Sequence, residues 1–138
     1  MIAPKILVVD DGKVIRLVIK RKLQEMGYEV TAVAGGREAL EAIEKDMFDL
    51  VLLDVSMPEI SGIEVLVRIR KTHSATWLPV IMVTANEEDE DVIRAFDLGA
   101  SDYVTKPIKF PVLRARIKTQ IKLKMLNEEL ENFTSEGG

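Results

Sequence analysis

The chain has 138 residues, enough for one domain with a sizeable core and short for two. Its residues are 47% apolar and 30% charged, ordinary globular composition that excludes a disordered chain. A net charge of −4 gives no electrostatic case for direct binding to nucleic acid, and the lack of cysteine excludes a disulfide scaffold or a thiolate-bound metal.

The first apolar run, Lys5 to Val9 (KILVV), is too short for a signal peptide and meets Asp10 and Asp11 at once, so it predicts a strand. Val14 to Met26 follows as a helix, with Ile15, Val18, Ile19, Leu23 and Met26 at helical spacing and Gly27 as its stop. Tyr28 to Val33 alternates as a strand does, Gly35-Gly36 turns the chain, and Ala39, Leu40 and Ile43 mark a second helix ending near Asp46. The strand Asp49 to Leu53 follows, its Leu50 to Leu53 an apolar run of the kind buried on both faces of a parallel sheet, closed by Asp54 and broken by Met57-Pro58. Past Gly62, Val65, Leu66 and Ile69 suggest a third helix, and Pro79 to Thr84 (PVIMVT) is another buried strand. Glu88 to Leu98 carries Val92, Ile93 and Phe96 on one side of a helix that Gly99 ends. Ser101 to Thr105 is a short strand leading into Lys106-Pro107, and a long helix runs from about Pro111 to Leu130. The tail from Thr134 to Gly138 reads as frayed. No segment approaches the roughly 18 apolar residues of a membrane span, so a cytoplasmic chain with no membrane contact is expected.

Strict alternation of strands and helices predicts an α/β fold, a five-stranded parallel sheet with helices on both faces. Right-handed crossovers leave few strand orders, of which the flavodoxin-like 2-1-3-4-5 is common. In such a sheet the carboxyl ends share one edge, which would gather Asp10, Asp11, Asp54, Thr84 and Lys106. Three carboxylates together repel unless a cation joins them, and oxygen ligands without His or Cys favour Mg²⁺. Lys106 and Thr84 would then serve the oxygens of a phosphoryl group, with Asp54 on the central strand as the nucleophile of an aspartyl-phosphate. Each residue also has a plainer reading: helix-capping acids at Asp10-Asp11, a capping hydroxyl at Thr84, a solvated lysine at 106. Those plainer readings would have to coincide at matching ends of separate strands.

On Asp10-Asp11 after KILVV, DVSMPEISG from Asp54 to Gly62, Thr84-Ala85, and Lys106-Pro107 after Tyr103, the chain resembles the receiver domain of two-component response regulators, a CheY-like fold, from Lys5 to about Leu123. The resemblance implies that Asp54 accepts a phosphoryl group from the phosphohistidine of a sensor histidine kinase or phosphotransfer protein. It implies that Asp10, Asp11 and Asp54 bind Mg²⁺, with the backbone carbonyl of Ser56 as a further ligand. Thr84 and Lys106 would contact phosphoryl oxygens, and Tyr103 would turn inward after Thr84, reshaping the face of the fourth helix, fifth strand and fifth helix. It also suggests a cis peptide before Pro107. Such a chain is a phosphoacceptor switch, not an enzyme acting on an external substrate. Gly12 departs from the family's frequent third acidic or polar residue, and Ser56 and Asn86 stand where the family tunes phosphate lifetime.

The division expected is a receiver domain over residues 1–123 and a helical extension and tail over residues 124–138. In the extension Leu123, Leu126, Leu130 and Phe133 continue at 3-4-3 spacing, a short seam through which a homodimer would form, flanked by Lys118, Lys122, Lys124, Glu128, Glu129 and Glu131. The plainer reading is a solvated helix end. A small-molecule phosphotransferase would need a base and a lid that the sequence lacks, and a nucleotide or flavin binder would need a glycine-rich loop where DDGKV stands. His73, in the polar stretch KTHSAT, reads as an exposed loop residue, with Trp77 shielding the loop before the fourth strand.

Overall fold

The structure is a computed structural model that describes residues 2–85 and 88–137. Short β-branched runs bounded by breakers form one sheet: β1 (Lys5–Val9), β2 (Glu29–Val33), β3 (Leu50–Asp54), β4 (Val80–Thr84) and β5 (Asp102–Thr105). All pairs are parallel and the order is β2-β1-β3-β4-β5, as the alternation predicts. The crossovers are α1 (Lys13–Glu25), α2 (Gly36–Lys45), α3 (Gly62–Thr72) and α4 (Asp89–Asp97), and α5 (Phe110–Gly137) closes the chain.

Strand side chains alternate between faces, so each strand feeds two cores. On one face Leu7, Val9, Val51, Leu53, Val80 and Met82 meet Ala39 and Ile43 of α2, Val65, Leu66 and Ile69 of α3, and Ala95 of α4. On the other, Ile6, Val8, Leu50, Leu52 and Ile81 meet Ile19 and Leu23 of α1 and Leu113, Ile117 and Ile121 of α5. Every residue of β3 is buried. Full burial of one such side chain stabilises by roughly 1.5–3 kcal/mol, so β3 is a stiff mount for whatever stands at its ends.

Two helices depart from expectation. In α4 the residue packed on the sheet is Ala95, 7% exposed, while Ile93 is 58% and Phe96 42% exposed. Ile93, two residues before Ala95, is about 200° round the helix from it and falls on the outward side. Meanwhile α5 runs past Leu130 to Gly137, because no Gly or Pro interrupts residues 112–136. Lys124, expected on a charged flank, turns inward and is 8% exposed. Among the described residues no helix is long and apolar enough to cross a membrane.

Candidate functional site

Register places the site. Val9 pairs with Leu53, so the next residue of each chain, Asp10 and Asp54, leave the sheet side by side. Asp10 is 3% and Asp54 1% exposed, whereas Asp11 is exposed. One carboxylate oxygen from each of Asp10, Asp11 and Asp54 lies within 4.8 Å of the others. The Lys106 ammonium donates to Asp54 Oδ1 at 3.1 Å and stands 4.0 Å from Asp10 Oδ2. It is delivered by a cis Lys106–Pro107 peptide directly after β5, where the Lys106 N–H donates to the Thr84 carbonyl at 2.8 Å.

The loops hold this arrangement with backbone donors. The Gly12 N–H donates to Asp10 Oδ1 at 2.8 Å, and Arg16 Nη1 donates to the Asp10 carbonyl at 2.8 Å. The Ser56 N–H donates to Asp54 Oδ1 at 3.2 Å. After Ser56 the loop folds back so that the Gly62 N–H reaches the Val55 carbonyl at 2.9 Å. A Cβ on Gly62 would sit 2.2 Å from the Asp54 carbonyl oxygen, so only glycine permits this approach. Ser61 then caps α3 by accepting from the Glu64 N–H at 3.2 Å.

Burial pushes the Asp54 carboxyl above its ordinary range; the Lys106 hydrogen bond pulls it back, and the charge of Asp10 pushes it up again. Asp54 Oδ2 is buried with no hydrogen-bond partner among the described residues. One ammonium faces three carboxylates, and the set lacks nitrogen and sulfur ligands. A hard divalent cation would meet the unmatched oxygen and offset the surplus charge, so the residues fit Mg²⁺.

Thr84 ends β4, and with Tyr103, Val92 and Ala95 it lines a cavity of about 190 Å³ beneath α4. Tyr103 is half-buried, its ring edge-on to Phe96 at 6.0 Å and 80°. Asn86 lies outside the described residues. His73 is the C-cap of α3, its Nδ1 2.8 Å from Thr72 Oγ1, and takes no part in the cluster. Trp77 is 48% exposed and lines a groove with His73 and Leu78. Arg16 escaped the sequence reading, since it acts on a backbone atom and carries no motif of its own; Gly62 was read as the end of the loop and of DVSMPEISG, but not as a position that must lack a Cβ.

The family profile described as response regulator receiver domain matches residues 6–118. Over 118 residues, 86% of this chain, it is 46% identical to the regulatory protein VanRc of Enterococcus gallinarum, covering 50% of that protein. It is 36% identical to the alkaline phosphatase synthesis transcriptional regulatory protein PhoP of Bacillus subtilis, over 96% of this chain and 56% of that one. The chain thus spans about half the length of the curated relatives it matches. Among solved structures, a CheY-like response regulator receiver domain protein from Methanospirillum hungatei superposes with a TM-score of 0.85 at 31% identity, covering 91% of this chain and 99% of that one.

Proposed function

Because the chain belongs to the response regulator receiver family, we propose that Asp54 takes a phosphoryl group from the phosphohistidine of a sensor histidine kinase or phosphotransfer protein. The observation that carries this reading is the meeting of Asp10, Asp11 and Asp54 within 4.8 Å, with Lys106 bonded to Asp54 and one buried Asp54 oxygen unmatched. In the transfer a carboxylate oxygen of Asp54 bonds to phosphorus as the phosphorus–nitrogen bond breaks. The electron pair returns to the imidazole, which takes its proton from solvent. Asp10, Asp11, Asp54 and the backbone carbonyl of Ser56 would hold Mg²⁺. When bound, the ion would supply positive charge that offsets the acids and the incoming phosphoryl group.

Lys106 swings from Asp54 to a phosphoryl oxygen, and Thr84 supplies a second donor. Drawing Thr84 toward the phosphate opens room for Tyr103 in the cavity under α4, and the α4-β5-α5 face changes shape. The chain is a switch that assists its own phosphorylation and dephosphorylation and turns over no external substrate. Residues 1–123 form the switch and 124–138 carry its state outward, to a homodimer partner through the C-terminal helix or to an output domain. We place the chain in the cytoplasm, away from membranes and without direct contact to nucleic acid.

Mixing the protein with Mg²⁺ and a small-molecule phosphodonor should add one phosphoryl mass, and Asp54→Asn should abolish it. Label that persists in the variant overturns the assignment. Asp11→Asn should weaken Mg²⁺ binding in titration calorimetry, a better readout than tryptophan emission because Trp77 lies at the opposite edge of the sheet, before β4.

A further inference from the structure

Three charged side chains are buried among the described residues: Asp10, Asp54 and Lys124. The first two belong to the cluster above, and Lys124 lies at the other pole. Lysine is almost never buried unless paired. Here Nζ donates to Asp49 Oδ1 at 2.8 Å and stands 3.1 Å from Glu128 Oε1, one helical turn on. The second oxygen of Asp49 accepts the backbone N–H of Lys5 at 2.8 Å. A single carboxylate therefore ties α5 to the residue before β3 and to the first residue of β1. Ile43, Met47, Phe48, Trp77 and Leu78 line a groove of about 510 Å³ with Lys124 and Glu128.

The tie sits where α5 would otherwise lose its support. Ile121, 7% exposed, is the last buried apolar residue of the helix, which continues to Gly137. A helical stretch of about a dozen residues with no packing is marginal in water. On the outward side Leu123, Leu126, Leu130 and Phe133 are 49%, 50%, 62% and 75% exposed.

We propose that Lys124 is a positioning residue: it latches the extension of α5 to the amino edge of the sheet and fixes which side of that helix faces outward. The extension then moves as one body with β1 and β3, and its leucine stripe is presented at a set angle. Burial opposes the charge on Lys124, but the bonds to Asp49 and Glu128 outweigh it and hold the group above its ordinary 10.5. A raised value means that the contribution is complete at neutral pH and is lost only as pH rises past 10.5. The consequence for pairing rests on the homodimer proposed above; the latch itself does not.

Amide exchange in the full chain tests it. Lys124→Met keeps the aliphatic stem and removes the ammonium, while Lys124→Arg keeps the charge. In Lys124→Met, exchange over residues 123–133 should quicken about tenfold while β1 and β3 keep their rates, and Lys124→Arg should behave as wild type. Unchanged rates over residues 123–133 in Lys124→Met overturn the latch, and so does an equal acceleration everywhere. Sedimentation read alongside reports on pairing: a wild-type chain that stays monomeric removes the homodimer, while the exchange rates still decide the latch.

Discussion

At Asp54 a carboxylate is held out of water with one oxygen unmatched among the described residues and a second acid beside it. Neutralising it should stabilise the metal-free protein. Asp54→Asn is expected to raise the unfolding free energy in urea titrations with chelator present, because burial opposes the charged form more than Lys106 supports it; a fall would mean the Lys106 pair outweighs burial. Mg²⁺ should stabilise the wild type in the same direction, adding about 1.4 kcal/mol at ten times its dissociation constant. Glu59 holds a φ of 66° in the loop that follows Asp54, a region that costs a side-chain-bearing residue about 1 kcal/mol or more. Glu59→Gly should therefore raise the melting temperature slightly, and a fall would place a missing contact at Glu59. The acids were legible in the sequence because each ends an apolar run, a position that topology turns into a meeting point. Arg16 was not, because a bond to the Asp10 carbonyl leaves no pattern in side-chain chemistry, and Gly62, legible as the end of DVSMPEISG, gave no sign of its close approach to the Asp54 carbonyl.

Strands announced themselves in the sequence because burial on both faces writes a continuous apolar run, as in LVLLD, where every residue is buried. Helices gave less. An inward face can be built from a small residue, as Ala95 shows, and a long side chain such as Ile93 can then point to solvent. The far end of α5 was missed for a related reason: without a glycine or proline, nothing in the chain marks a stop. The clearest hidden element contact is Arg70 on α3. Its Nε donates to the Gly99 carbonyl at 2.8 Å, and its Nη1 donates to the Leu78 carbonyl at 2.8 Å and the His73 carbonyl at 3.2 Å. Burial pulls the guanidinium down to about 10, so it stays charged at neutral pH. Gly99 itself has a φ of 107°, and a Cβ there would meet Arg70 Cγ at 2.9 Å. Arg70 thus pins the turn after α4 to α3 and the approach to β4. Arg70→Met should cost about 2–4 kcal/mol, three charge-assisted bonds being lost at once. Exchange at Leu98, Gly99 and Ala100 should quicken before that of β3; uniform acceleration would refute a local pin.

Across the whole molecule the two functional ends are kept apart by the length of β3. Asp54 closes that strand and Asp49 precedes it, five residues away, a span of roughly 17 Å at the usual rise per residue. The extension of α5 leaves from the Asp49 end. A change on its outer stripe should therefore leave phosphoryl chemistry untouched. Conversely, any message from Asp54 must travel through the sheet or through the β4-α4-β5 region where Thr84 and Tyr103 share a cavity. This separation gives the last prediction its form. Placing carboxylates on the stripe, Leu126→Asp with Phe133→Asp, puts like charges where a paired helix would need apolar contact. Both positions are at least half exposed, so folding should be unaffected. If the proposed homodimer forms, sedimentation should then show the variant as a monomer at concentrations where the wild type sediments as a dimer, while the rate of phosphoryl incorporation at the proposed acceptor Asp54 stays the same. Loss of incorporation in this variant would mean that pairing completes the phosphoacceptor site, and the two ends would have to be treated as one unit.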